Sequence, residues 1–298
     1  MKRINSFGII CFKKTRQVSS IFHTIYAWSQ RNQVPVFFHP DLATYLTVPI
    51  RTVRTQKELM KKSDALISIG GDGTFLSVAR MVQFTEKPVI GINLGGLGFL
   101  ADIDPENIEE SLQKIHQGDY LVINRMVIQA QLRRNNKTVH TLHALNDFYI
   151  NRLSMPKLTS ISAWHGECFI SDFQADGIIV STPSGSTAYS LSAGGPIVEP
   201  SVRAFILTPI CPHSLTERSV ILPADQNIRL MINNKNPRLL FSADGIVNVT
   251  IRYKDEIIIS NHGDRTNLIQ LAEHDYFTSL RTKLNWGQDH GNRRKPNP

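Results

Sequence analysis

The sequence predicts an α/β domain followed by a mostly β domain. Up to about residue 124, short apolar runs rich in β-branched residues alternate with segments of helical periodicity, which is typical of a parallel sheet covered by helices. Beyond that point, many short strand-like pieces follow one another between turn residues, as in sandwiches and layered antiparallel sheets. We therefore expect a Rossmann-like α/β domain over residues 1–124 and a β-sandwich-like domain over residues 125–263.

The elements of the first domain follow from periodicity and stop signals. Apolar residues at helical spacing (Ile21, Ile25 and Trp28) predict the first helix, and Gly118 marks the end of the last one. The predicted strands are 7–12, 34–38, 65–69 and 88–92, and the predicted helices are 18–30, 75–82 and 108–116.

The second domain is predicted to contain twelve short strands. They are 127–133, 139–143, 148–151, 161–164, 167–173, 177–180, 206–209, 219–222, 228–232, 239–242, 247–253 and 256–260. From about residue 264, helical and loop character returns. We expect residues 264–298 to return to the first domain and to end in a mobile basic tail.

Charge and cysteine content limit the function classes. The formal net charge is +8, but residues 1–16 carry five positive charges without an acid and residues 281–298 carry a net +4, so the body is close to neutral. A nucleic-acid groove would need basic residues spread along one face, and we expect no such partner. No apolar run approaches the ~18 residues that span a bilayer, so no membrane partner is expected. Three cysteines without CxxC spacing favour reduced thiols in a cytoplasmic protein.

The first chemical motif is a glycine turn after a predicted strand. Gly70-Gly71-Asp72-Gly73-Thr74 leads from that strand into a predicted helix, where backbone N–H groups can approach a phosphate closely. An aspartate in such a turn suits a general base or a Mg²⁺ contact in phosphoryl transfer. The alternative is a plain turn in which Asp72 caps the helix.

A second glycine cluster, 93–100, follows the next strand at the same sheet edge, and two such loops make a ligand crevice. These glycines could instead only admit a neighbouring helix. The sequence contains no GxxxxGK[ST], no GxGxxG after either strand, no GxSxG and no HExxH, which argues against P-loop, hydride-transfer, serine-hydrolase and zinc-protease sites.

The longest motif runs from Asp176 to Ile197 and is dense in hydroxyl groups. Hydroxyls and backbone amides can bind ribose and phosphate, and Tyr189 supplies a stacking face. Asn146-Asp147 precedes a predicted strand, and an amide beside a carboxylate can hold the two hydroxyls of a ribose. Taken alone, either stretch could also be an ordinary turn.

In this order, these blocks resemble the bacterial NAD kinase (ATP-NAD kinase) family. The resemblance extends through 209–215 to Lys283-Leu284-Asn285-Trp286 and covers about residues 4–287. It implies transfer of the ATP γ-phosphoryl group to the adenosine 2′-hydroxyl of NAD, giving NADP and ADP. It also implies a divalent metal ion (Mg²⁺ or Mn²⁺) on the ATP phosphates and assembly into a homodimer or homotetramer.

The same resemblance implies roles for individual residues, with Asp72 as the proton acceptor. It places NAD contacts at Asp72, Gly73, Asn146, Asp147, Lys157, Asp176, Thr187, Ala188, Tyr189, Ser190, Leu191 and Ser192. It assigns no metal-ligating side chain.

Two other function classes stay open on the sequence. Lipid or sphingoid kinases share the glycine–aspartate turn, although the polar 176–192 segment does not suit an acyl site. A dinucleotide sensor without catalysis, or a nucleic-acid binder acting through the basic ends, is the other alternative.

Overall fold

The structure is a computed structural model that describes residues 3–12, 15–39, 42, 51–95, 98–101, 103–153, 158–235, 239–272, 275–285 and 287. The chain divides into two compact units. The first is Met1–Asn124 together with Asn267–Pro298, and the second is Arg125–Thr266. Within the described residues, no helix is both long enough and apolar enough to cross a membrane.

The first unit is built on parallel strands in the order β5-β4-β1-β2-β3. Every residue of β1, β4 and β5 is buried, as expected for a parallel sheet covered on both faces. The strands are β1 (Phe7–Cys11), β2 (Val36–Phe38), β3 (Arg51–Thr52), β4 (Ala65–Gly70) and β5 (Val89–Asn93).

The described residues of this unit form five α-helices: α1 (Arg16–Asn32), α2 (Gln56–Lys62), α3 (Asp72–Val82), α4 (Ile108–Gln117) and, near the end of the chain, α6 (Tyr276–Leu284). Helix α1 begins where the Thr15 hydroxyl accepts a hydrogen bond from the Val18 N–H at 3.2 Å. Helix α4 ends at Gly118, whose φ of 88° is the left-handed conformation that glycine adopts at low cost.

The second unit contains two sheets that enclose one apolar core. One sheet is antiparallel, in the order β13-β12-β11-β8-β15-β16, and the other contains β10-β9-β14-β17 with β6 and β7. Ile150, Ile178 and Phe241 from the first sheet pack with Ile161, Leu230 and Ile257 from the second. This pairing of an α/β unit with a β-sandwich confirms the predicted fold class.

The elements of the second unit, in chain order, are β6 (Leu121–Arg134), β7 (Lys137–Ala144), β8 (Asp147–Arg152), β9 (Thr159–His165), β10 (Cys168–Ala175), β11 (Gly177–Ser181), a 3₁₀-helix (Ser184–Thr187), α5 (Tyr189–Ser192), β12 (Ala204–Ile210), β13 (Val220–Pro223), β14 (Ile228–Ile232), β15 (Leu239–Ala243), β16 (Val247–Ile251) and β17 (Glu256–Gln270).

Several predicted boundaries were wrong, among them the start of β6, which lies at Leu121 and not at residue 127. Strand β17 continues to Gln270, where loop or helix was expected from about residue 264, because Leu268 pairs in parallel with Val89 of β5. Helix α3 begins at Asp72 and not at residue 75, so Asp72 is the first helical residue. The expected mobile tail falls almost wholly on residues 288–298, which lie outside the described part of the chain.

Candidate active site

The first candidate site lies where β4 and β5 end side by side. Gly70 is paired with Asn93, so the glycine turn and the 93–100 loop start from neighbouring positions at the carboxyl end of a parallel sheet, the usual ligand edge in such sheets. A cavity of about 220 Å³ opens there, and Asp72, Asn93, Gly95 and Lys283 are among the residues that line it.

The Asp72 carboxylate forms one wall of this cavity. Its Oδ2 accepts hydrogen bonds from the Phe99 N–H at 3.3 Å and from Lys283 Nζ at 3.1 Å, and its Oδ1 accepts one from the Leu100 N–H at 3.3 Å. The N-cap residue of α3 is Gly71, without a capping side chain. The helix-cap explanation of Asp72 therefore does not hold, and the carboxylate, 30% exposed, remains accessible from the cavity.

The glycines around the cavity fall into two groups. A Cβ at Gly91 would lie 2.4 Å from the Ala101 Cα, and one at Gly98 would lie 2.6 Å from Asp72 Oδ1, so these glycines allow chain segments to pack closely. A Cβ at Gly71, Gly73 or Gly95 would meet nothing within 4 Å. Close packing thus explains Gly91 and Gly98. At the other three glycines the backbone is open, so a ligand can approach it.

Metal-binding capacity at this site is small. Among the described residues, no group of three or more His, Cys, Asp or Glu side chains is placed to hold a metal ion. Mg²⁺ in phosphoryl-transfer sites is commonly bound through one or two carboxylates plus substrate phosphates. The single carboxylate of Asp72 is compatible with such a site, in which the substrate phosphates supply most of the ligands.

The second candidate site lies at one end of the antiparallel sheet in the second unit. Asp147 opens β8 and pairs with Ser181, the last residue of β11. The Asn146 carbonyl oxygen accepts a hydrogen bond from the Thr182 N–H at 2.8 Å, and a Cβ at Gly185 would lie 2.0 Å from that oxygen. The hydroxyl-rich loop after β11 is therefore built directly on Asn146.

Asp244 organises this end of the sheet and was missed by the sequence analysis. Its Oδ1 accepts hydrogen bonds from the N–H groups of Asn146 at 2.8 Å and Asp147 at 3.1 Å, and its Oδ2 accepts one from Leu145 at 3.0 Å. The only local signal was an Asp-Gly turn after β15, with a φ of 51° at Asp244 and 69° at Gly245.

Polar groups without partners are concentrated around Asn146 and Asp147. Within the described part of the chain, Asn146 Oδ1 and the hydroxyls of Ser181, Ser184 and Ser242 are buried without a hydrogen bond. Asp147 is 3% exposed, and burial raises the pKa of its carboxyl to about 7, with the charge of Asp244 as the second cause. Buried groups of this kind are costly unless a ligand or water satisfies them.

Tyr189 lies on the outer face of the same sheet. Its hydroxyl accepts a hydrogen bond from Asn151 Nδ2 at 3.0 Å, and its ring meets Tyr149 edge to face at 5.0 Å between centroids. Ser190 is buried, and its hydroxyl oxygen lies 3.1 Å from the hydroxyl oxygen of Thr208. The neighbouring positions Thr187, Ala188 and Leu191 are half-buried, and Ser192 is exposed.

Asp176 is placed at the other end of β11. It pairs with Arg152 at 2.8 Å and precedes Gly177, which is opposite Asn151. Five residue steps separate Asp176 from Ser181, the partner of Asp147, which is about 17 Å at ~3.3 Å per residue. The predicted contacts in the second unit thus line an extended surface, whose two ends are Asp147 and Asp176. Lys157 lies outside the described residues.

Comparisons with known proteins cover both units. The family model of the ATP-NAD kinase N-terminal domain matches residues 7–120, and that of the C-terminal domain matches residues 145–271. The NAD kinase of Caldanaerobacter subterraneus subsp. tengcongensis is 44% identical over 76% of this chain and 80% of its own length. The NAD kinase of Geobacter metallireducens is 33% identical over 97% of this chain and 100% of its own length.

Solved structures show the same likeness. Yeast NADH kinase complexed with NADH superposes with a TM-score of 0.86 at 28% identity, covering 97% of this chain and 89% of that one. An NAD kinase from Archaeoglobus fulgidus in complex with ATP gives 0.70 at 25% identity, covering 92% and 96%. The lipid-kinase alternative rests on the glycine turn alone, whereas these matches extend over both units. The chain belongs to the ATP-NAD kinase family.

Proposed function

We propose that Asp72 is the proton acceptor in the reaction that this chain catalyses. That reaction is the phosphorylation of NAD, in which the γ-phosphoryl group of ATP passes to the 2′-hydroxyl of the adenosine ribose and leaves NADP and ADP. The observation that supports the role of Asp72 is its carboxylate, which faces a cavity bordered by open backbone at Gly71, Gly73 and Gly95.

The chemical step needs little covalent work from the protein. The oxygen of the 2′-hydroxyl attacks the γ-phosphorus, its proton passes to Asp72, and the bond between the γ-phosphorus and the β–γ bridging oxygen breaks. Positioning and charge stabilisation supply most of the rate in such transfers. A carboxylate in hydrogen-bond reach of the hydroxyl adds a general-base contribution.

In the second unit, Asn146 and Asp147 are assigned to the ribose hydroxyls of NAD. Asn146 Oδ1 is a buried acceptor without a partner in the described residues, and a ribose hydroxyl is a donor of matching chemistry. The remaining NAD contacts that we assign by resemblance are Gly73, Lys157, Asp176, Thr187, Ala188, Tyr189, Ser190, Leu191 and Ser192.

The resemblance to the family also assigns a divalent metal ion, Mg²⁺ or Mn²⁺, to the ATP phosphates. The resemblance assigns no side chain as a ligand of this ion, and Asp72 is the one carboxylate among the described residues that line the cavity. When bound, the ion would neutralise charge on the phosphates during transfer. We further assign the enzyme to the cytoplasm, which the exposed free thiols of Cys168 and Cys211 support, and to a homodimer or homotetramer.

The proposal is tested by incubating the purified chain with ATP, Mg²⁺ and NAD and detecting NADP with an NADP-specific dehydrogenase. Asp72→Asn should lower kcat by about 10²- to 10⁴-fold, the usual contribution of a general base, while the KM for NAD changes little. A variant with a near-normal kcat would show that Asp72 is not the proton acceptor.

A further inference from the structure

The last helix of the chain delivers a lysine to the cavity beside Asp72. Lys283 Nζ lies 3.1 Å from Asp72 Oδ2 and 4.5 Å from the centre of the Phe99 ring. Helix α6 is stabilised by an N-cap and packs through a buried leucine. Asp275 caps it by accepting hydrogen bonds from the Phe277 and Thr278 N–H groups, and Leu280 is buried.

The charges around the cavity indicate which kind of ligand group Lys283 can bind. Lys283 carries the one positive charge among the described residues that line the cavity, and Asp72 carries the one negative charge. A phosphate chain brought next to Asp72 would be repelled by its carboxylate unless a cation lay between them. An ammonium on a flexible stem supplies such a cation.

The size of the cavity agrees with a phosphate ligand. Its volume of about 220 Å³ is below the ~300–1,000 Å³ of sites that enclose a whole drug-sized ligand. It therefore suits part of a nucleotide, and the open backbone at the start of α3 favours the phosphate part.

We propose that Lys283 binds the phosphate chain of ATP and that its ammonium leaves Asp72 for the phosphates when ATP binds. The inference rests on the proposed function, which makes ATP the donor and Asp72 the proton acceptor. In the structure the ammonium occupies Asp72 Oδ2. Once it has moved to the phosphates, that oxygen is available to the acceptor hydroxyl, so binding of the donor prepares the base.

The ion pair has the properties that such an exchange requires. The side chains of Lys283 and Asp72 are 28% and 30% exposed, so water screens their attraction and the pair is weak. A polyphosphate carries several negative charges and competes well for the same ammonium. A merely structural pair would hold α6 in place but would leave the affinity for ATP unchanged.

The first test compares three variants in steady-state kinetics. Lys283→Met should raise the KM for ATP by about 10- to 100-fold, the range for loss of a hydrogen bond to a charged group, and leave the KM for NAD within twofold. Lys283→Arg should recover most of the loss. Arg281→Met removes the same charge from the same helix, outside the cavity, and should change neither KM. An unchanged KM for ATP in Lys283→Met would overturn the proposal.

The second test measures the exchange itself by calorimetry with metal-free ATP and without NAD. Asp72→Asn frees the ammonium and also removes a negative charge beside the phosphates, so it should bind ATP at least about threefold more tightly than the unaltered chain. In the background of Lys283→Met, the same change at Asp72 should give a smaller gain. An equal gain in both backgrounds would exclude the exchange.

The binding measurement also separates this proposal from the proposed function. A chain that binds ATP through Lys283 but forms no NADP would contradict the proposed function alone. A chain that forms NADP with an unaltered ATP affinity in Lys283→Met would contradict the inference alone. Circular dichroism of Lys283→Met and Arg281→Met checks that α6 is retained.

Discussion

Two aspartates, one in each unit, are set in opposite surroundings. Asp72 is 30% exposed, and its carboxylate pairs with the Lys283 ammonium, whose side chain is 28% exposed. Asp147 is 3% exposed, and the backbone around it is fixed by three hydrogen bonds to Asp244. The first unit thus leaves the surroundings of its acid open to change, whereas the second holds its acid in a buried and energetically costly environment that is already formed. A proton acceptor needs the first condition, and a rigid contact to a ribose benefits from the second.

The most sensitive test of this contrast is the same substitution at both aspartates. The folded chain keeps the Asp147 proton up to about pH 7, whereas the unfolded chain releases it near its ordinary pKa of 3.8. The folded state thus binds more protons between these values, and stability falls as the pH rises through this range. Asparagine does not ionise, so Asp147→Asn removes this pH-dependent loss of stability. It should raise the free energy of unfolding at pH 8 by up to about 4 kcal/mol.

Thermal unfolding of Asp147→Asn at pH 4 and pH 8 measures the effect, which should be small at pH 4. Asp72→Asn is the matched control, since it should change the free energy of unfolding at pH 8 by no more than about 1 kcal/mol, the value of an exposed ion pair. Equal shifts in the two variants would remove the distinction between the two surroundings.

A second contrast lies within the first unit, between packing glycines and open glycines. Gly91→Ala places a Cβ 2.4 Å from the Ala101 Cα and should cost about 1–3 kcal/mol of stability. The Cβ added by Gly73→Ala would have no protein atom within 4 Å. This variant should keep or slightly raise the stability, because alanine favours the helical conformation. Its kcat/KM should fall about 10- to 100-fold if the open backbone is where a substrate approaches.

Chemical denaturation and the coupled NADP assay measure both glycine variants. Full activity in a stable Gly73→Ala variant would show that the open backbone has no ligand role.

The smallest expected effect is at Tyr189. Tyr189→Phe keeps the edge-to-face contact with Tyr149 and loses the hydrogen bond from Asn151, so stability should fall by about 1 kcal/mol. The KM for NAD should rise only severalfold, while Tyr189→Ala, which removes the ring as well, should raise it further. Equilibrium binding of NAD distinguishes the two contributions. Equal affinities in both variants would show that the ring does not stack on the ligand.

Local sequence patterns predicted the features that depend on neighbouring residues. Alternating apolar runs and a glycine turn place Asp72 after β4, because strand, turn and helix are contiguous there. The position of Lys283 beside Asp72 was not predicted, since 211 positions separate the two residues. Asp244 was missed for the same reason, because the N–H groups from which it accepts hydrogen bonds are 97 to 99 positions away in the sequence.

Short and interrupted elements were the other failure. Strand β3 has two residues and helix α2 has seven, too few to show a period. Strand β17 contains Gly263 at a φ of 84°, which reads as a turn although the strand continues on both sides. In both cases, tertiary pairing decides what a short window cannot show.

The division of the first unit into two chain segments has a consequence for its synthesis. The strand segment that pairs with Val89, and the helix that carries Lys283, leave the ribosome only after all of Arg125–Thr266 has been made. At 5–20 residues per second that delay is roughly 7–30 s. During this interval Ile103 already pairs with Ile92 on this side of β5, but the edge at Val89 has no strand beside it and is a template for association with other nascent chains. A chain whose synthesis stops before α6 would therefore lack Lys283, the cation of the cavity beside Asp72.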